Sequence, residues 1–222
     1  MSEGPVVLKL GGRIAAGAVR AALAGLDGPV VVVHGAGPQI TAEMARRGIE
    51  PAFVAGRRVT TPAVLDVVRE SLAGVNAELC AAIGPRALGL SGDEIGLQAR
   101  QVDGLGLVGD PSPSAPAAVV DALAAGRVPV VAPLAAGPLN VNADEAAAAL
   151  AVGLRASRIL FVTDVPGVLV DGELATVLPA DEAETGLAEG RFEGGIVPKL
   201  MAAVRAARGG VQASIGATEV PA

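Results

Sequence analysis

Stretches rich in valine and isoleucine alternate along this chain with alanine-rich stretches of helical length. VVLKL at residues 6–10 reads as a first buried strand, followed by Gly11-Gly12 and a helix over about residues 15–26. Residues 30–33 give a second strand, closed by His34-Gly35-Ala36-Gly37-Pro38. Pro38 suits the first turn of the next helix, where a missing N–H costs nothing; that helix runs to about Arg47 and Gly48 ends it. Thr61 before Pro62 predicts the N-cap of a long helix towards Cys80. The glycine-studded residues 86–110 read as a hairpin excursion, and 111–116 as a loop into a helix ending near Gly126. Two further strands are expected at 128–132 and 159–163, with a helix at 144–154 between them. A late helix at 197–208 and a last strand at 211–215 complete the pattern. Strands apolar on both faces, alternating with helices, predict the α/β class: an open, mainly parallel sheet sandwiched between helices. The best boundary falls near 155–157, giving an N-terminal lobe (1–155) and a C-terminal lobe (156–222).

In such sheets ligands bind beyond the carboxyl ends of the strands. The distinctive polar and glycine positions fall there: Gly11 and Gly12, residues 34–37, and residues 164–167. Composition sharpens the picture. Only two of the 17 basic residues, Lys9 and Lys199, are lysines, and both lie beside glycine pairs. The net charge of −6 disfavours nucleic acid as a partner, since phosphate neutralisation needs a basic surface. No apolar run reaches the roughly 18–20 residues that span a bilayer, no basic stretch precedes the first apolar one, and the single cysteine, Cys80, fits a reducing cytoplasm.

Several familiar chemistries lack their residues. Neither lysine follows the GxxxxG of a P-loop, and Ile40 stands where a GxGxxG fingerprint beginning at Gly35 needs its third glycine. One histidine and one cysteine cannot build a zinc site. Lys9, inside a buried strand, either snorkels at an edge or emerges beside glycine N–H groups that approach an anion. Lys199 follows Gly194-Gly195 at the start of a helix, where a cation is disfavoured but a bound polyanion is attracted. Asn140, Asn142 and Asp144 at alternating positions serve as helix caps or face a ligand. Arg57-Arg58 forms either a solvated pair or a carboxylate clamp. Asp164 sits at a strand's carboxyl end, and His34 suits a loop-locking hydrogen bond better than general-base work.

LKLGG at 8–12, HGAGP at 34–38, GRRVT at 56–60, NVNAD at 140–144, TDVPGVL at 163–169 and GGIVPKL at 194–200 follow one another in this order. Together they resemble the amino-acid kinase family over nearly the whole chain. The RVT and NVNAD segments are most similar to its acetylglutamate branch. The resemblance implies an αβα fold, with the N-terminal lobe for an acyl amino acid and for dimerisation and the C-terminal lobe for ATP. The implied reaction is ATP-dependent phosphorylation of the side-chain carboxylate of N-acetyl-L-glutamate, in arginine biosynthesis. Lys9 and Lys199 would stabilise the transferring phosphoryl group, and Asp144 would hold both. Ala36, Gly37, Arg58 and Asn140 would bind the substrate; Gly11, Gly12, Asp164, Gly167, Gly194 and Gly195 would frame the nucleotide and its phosphates. Mg²⁺ would be held mainly by the phosphates, with no protein metal site, and the chain would be a homodimer with neither nucleic acid nor membrane as partner.

Three departures from the family pattern follow. Ala36 replaces the middle glycine of HGGG, so its methyl either crowds the acyl group or demands a negative φ. Ile196 replaces a frequent methionine. The ends lead us to expect a shortened nucleotide lobe, no N-terminal helix, no arginine inhibition and a dimer rather than a hexamer. Two other functions stay open on the residues alone: a kinase for aminoadipate or glutamate on a carrier protein, and a non-catalytic nucleotide-binding regulator.

Overall fold

The computed structural model describes residues 4–11, 16–163 and 165–222. The chain runs β1 (Val6–Leu10), α1 (Ala16–Ala24), β2 (Val30–His34), α2 (Gly37–Arg46), β3 (Phe53–Val54), β4 (Arg57–Arg58), α3 (Pro62–Ile83) and β5 (Ala87–Ser91). It continues β6 (Ala99–Gln101), β7 (Val108–Pro111), α4 (Ala117–Ala124), β8 (Val128–Ala132), β9 (Leu134–Ala135), β10 (Leu139–Val141) and α5 (Ala143–Gly153). Then come β11 (Arg158–Val162), β12 (Leu169–Val170), β13 (Glu173–Leu174), α6 (Ala180–Ala188), α7 (Ile196–Arg208), β14 (Gln212–Ile215) and β15 (Thr218–Val220).

Seven strands form one sheet in the order β15-β14-β11-β1-β2-β8-β5, parallel except for β15. β1 therefore sits in the middle, with β2, β8 and β5 on one side and the strands after residue 155 on the other. That reversal of direction is the switch point at which open α/β sheets bind ligands. The period of two along each strand divides the core in two. Val7, Val31, Val33, Val131, Ile159 and Phe161 face the helices that include α5 and α7. Val6, Leu8, Leu10, Val30, Val32, Val128 and Val130 face α2 and α3.

Two expectations are corrected. Ala87–Ser91 is no part of a hairpin; it is the parallel edge strand of the main sheet, and within the stretch read as a hairpin excursion the antiparallel pair is β6 with β7. An edge strand buried only partly along its length lacks the continuous apolar run that marks its neighbours. β14 is not the last strand, because β15 folds back antiparallel on it. Helix α6 was not expected, because its buried face is made of Ala180, Ala183 and Gly186 rather than large apolar residues. Among the described residues no helix is long and apolar enough to cross a membrane.

Candidate active site

Lys9 is odd-numbered on β1, as Val7 is, so strand alternation turns it towards α5 and α7. Its side chain is only 6% exposed, and Nζ lies 2.7 Å from Oδ1 of Asp144. Burial pulls the lysine's pKa below its ordinary value, and Asp144 opposes that shift. Asp144 stands in the first turn of α5, whose N-cap is Asn142. The Asn142 Oδ1 accepts from the N–H groups of Asp144 and Glu145 at 2.8 and 3.4 Å. Asn142 is thus spent on the helix end, as an Asx residue at that place often is. The other carboxylate oxygen of Asp144 lies 3.8 Å from Nζ of Lys199, which α7 delivers from the opposite side. Lys199 Nζ also donates to the Gly195 carbonyl at 3.3 Å. Two ammonium groups 190 positions apart in sequence so meet on one aspartate.

They open on a cavity of about 600 Å³, lined also by Gly11, Ala36, Gly37, Arg58, Asn140 and Gly195. Helices α2 and α7 begin at its edge with no side chain capping either, which leaves N–H groups for an anion. Ala36 adopts φ −138°, so the negative φ is the accommodation its methyl requires, and the residue is buried within the apolar core.

Arg58 is 92% buried, at 8% exposure, and no carboxylate pairs with it among the described residues. Its Nη2 donates to Thr41 Oγ1 at 2.9 Å, its Nη1 to Met44 Sδ at 3.1 Å, and its guanidinium lies 4.6 Å from the centre of the Phe53 ring. Burial lowers its pKa. Asn140 Nδ2 donates to Thr60 Oγ1 at 3.0 Å, and that hydroxyl donates to the Arg58 carbonyl at 2.8 Å. The three residues are therefore one hydrogen-bonded unit. The arginine pair separates: Arg57 holds Glu145 and Asp110 rather than joining the clamp. Thr41, Met44 and Phe53 carry neither a charge nor a motif, and Thr60, inside GRRVT, carries no charge; only their place around Arg58 marks them.

Gly167 and Gly194 do not line this cavity. Gly167 is buried against Thr218 and Leu174, where an added methyl has no room. Gly12 and Asp164 lie outside the described residues. His34 is even-numbered on the other face of the sheet and meets Asn76 of α3 there. Asn76 Nδ2 donates to the Val130 carbonyl at 2.8 Å and lies 3.1 Å from His34 Nε2, so that ring nitrogen is an acceptor. Burial brings the His34 pKa down to about 4, which leaves a neutral imidazole fixed beside the Gly35–Gly37 turn.

The model of the amino acid kinase family matches residues 4–216. The chain belongs to that family. An acetylglutamate kinase of Saccharopolyspora erythraea is 47% identical over 213 residues, covering 85% of this chain and 68% of that one. An acetylglutamate kinase of Chloroflexus aurantiacus is 40% identical over 208 residues, covering 87% and 82%. The crystal structure of smu.665 from Streptococcus mutans superposes with a TM-score of 0.84 over 98% of both chains at 24% identity, which supports the shared fold. The expected fold and family therefore hold.

Proposed function

We propose that this chain transfers the terminal phosphoryl group of ATP to the side-chain carboxylate of N-acetyl-L-glutamate, giving the acyl phosphate, a step of arginine biosynthesis. The observation that carries the reading is the meeting of Lys9 and Lys199 on Asp144 beside a buried arginine that has no carboxylate partner among the described residues. Relatives named acetylglutamate kinase at 40% and 47% identity support the choice of acid.

The chemistry suits these residues. A glutamate side chain is ionised at neutral pH, so the nucleophile needs no general base. What it needs is alignment with an anionic phosphate and compensation of charge. Arg58, steadied through Thr60 and Asn140, supplies a desolvated cation for the substrate's remaining carboxylate. Lys9 and Lys199 supply ammonium groups to the phosphoryl oxygens, with Asp144 fixing their separation. The uncapped start of α7 at Gly195 adds the helix dipole on the nucleotide side. Among the described residues no three Asp, Glu, His or Cys side chains converge on a metal position, and Asp144 is already engaged by two cations. On this reading Mg²⁺ comes with the nucleotide's phosphates.

Within this reading residues 1–155 bind the acyl amino acid, residues 156–222 bind ATP, and Gly12, Asp164, Gly167 and Gly194 act on the nucleotide side. The enzyme works as a cytoplasmic homodimer, to be measured by sedimentation. Purified protein with ATP, Mg²⁺ and N-acetyl-L-glutamate is expected to yield hydroxamate when hydroxylamine traps the acyl phosphate. Lys9→Ala, checked for folding by circular dichroism, is expected to lose about 100- to 1,000-fold in kcat, the cost of removing one donor to a developing oxyanion. Full activity in that variant, or no hydroxamate from the wild type, rejects the proposal.

A further inference from the structure

Helix α7 is held to α6 through Arg208, which pairs with Asp181 and Glu184, and to the residues before 155 at two other charged points. Among the described residues, two ion pairs join residues after 155 to residues before it: Lys199 with Asp144 at 3.8 Å and Arg205 with Asp110 at 3.1 Å. Both cations belong to α7, about 9 Å apart along its axis. Arg205 also donates to the carbonyl of Pro111.

The second fastening does not stand alone. The same Asp110 oxygen accepts from Arg57 at 3.4 Å, and Arg57 in turn grips Glu145 through Nε at 3.1 Å and Nη2 at 2.9 Å. Glu145 is the next residue after Asp144 on the first turn of α5. The contacts close a ring: Lys199, Asp144, Glu145, Arg57, Asp110, Arg205 and back along α7 to Lys199. Arg57 is also peptide-bonded to Arg58, the cavity's buried cation, which has no carboxylate partner among the described residues. Arg57, Glu145 and Asp110 are 22%, 14% and 29% exposed, so water screens this ring less than it screens a surface pair. Arg100, 79% exposed at 3.7 Å from Asp110, is a solvent-side attachment.

We propose that Asp110 is a positioning residue for phosphoryl transfer: through Arg205 and Arg57 it sets where α7 presents the Lys199 ammonium relative to Asp144 and to the anion-binding Arg58. Without it the long Lys199–Asp144 pair is, among the described residues, the one ion pair left between α7 and the residues before 155, and the Lys199 amine is freer to leave Asp144.

The kinetic part of the test rests on the acetylglutamate reading, and a second readout does not. Lys9 and Lys199 are the only lysines, so an amine-acetylating N-hydroxysuccinimide ester followed by peptide mass spectrometry reports each separately. In Asp110→Asn, Lys199 labelling is expected to quicken about threefold while Lys9 labelling is unchanged, and kcat to fall about tenfold with KM for acetylglutamate within about twofold. Asp110→Glu is expected to restore both. Arg205→Gln gives the same pattern should Asp110→Asn not fold. Unchanged Lys199 labelling in a folded Asp110→Asn or Arg205→Gln variant overturns the proposal, even if the melting temperature falls, since a mere fastening would lower only the latter. If wild-type protein phosphorylates no acyl amino acid, the proposed reaction fails, and the labelling still decides the role of Asp110.

Discussion

Lys9 and His34 are polar residues buried on adjacent central strands, and their different partners give them different tasks. A buried ammonium without a counter-charge costs several kcal/mol; Lys9 has Asp144 at 2.7 Å and stays useful as a cation facing the cavity. His34 has an amide instead, and burial holds its pKa at about 4, below the 6.5 of an unfolded chain. Between those values the unfolded chain takes up a proton that the folded one refuses. The stability that neutral His34 allows is thus fully present above pH 6.5 and is lost as pH falls towards 4. At pH 5 the loss is on the order of 2 kcal/mol. Urea unfolding at pH 7 and pH 5 is expected to show that extra loss in wild type and not in His34→Gln. Equal losses in the two proteins refute this account of the imidazole.

The elements that carry these residues were legible to different degrees, for physical reasons. β1, β2 and β8 bury every side chain and announce themselves as unbroken apolar runs. The Thr61 cap is also plain: its hydroxyl accepts from the Val64 N–H at 3.3 Å, next to a proline in the first turn. β5, half buried at an edge, and α6, with a face of alanine and glycine, have no such contrast between buried and exposed positions. For the site, charge was the legible property. Lys9, Lys199, Asp144 and Arg58 stood out in a chain poor in lysine, whereas the ring through Glu145 and Asp110 needs three dimensions to appear. Asn142 was legible only as an ambiguity between cap and ligand, and it is the cap on which Asp144 depends. Asn142→Ala is expected to lower stability by about 1 kcal/mol in urea titration, with Asn142→Ser recovering most of it. An Ala variant as stable as wild type would mean that the first turn of α5 is held by packing alone.

The proposed division at residue 155 does not divide the sheet. β1 pairs with β11 over five residues, and Val7 and Val31 share a core with Leu200, Val211 and Ile215. Neither part buries its inner face without the other, so the two proposed ligand sides form one cooperative unit. Cys80 offers a reporter at the far edge. Its thiol packs between α3 and β5, donates to Asn76 Oδ1 at 3.6 Å, and burial pushes its pKa up, all of which slow its reaction in the folded protein. Residues 156–222, where we place the nucleotide, lie across β1 from that edge. A nucleotide that binds only the folded chain stabilises it by mass action. Saturating Mg·ADP is therefore expected to raise the urea midpoint of Cys80 exposure, read with a thiol reagent, by the same amount as the midpoint of far-ultraviolet circular dichroism. A shift in the dichroism with none at Cys80 would mean that the nucleotide side unfolds by itself, and that strand pairing at the centre does not couple the two halves.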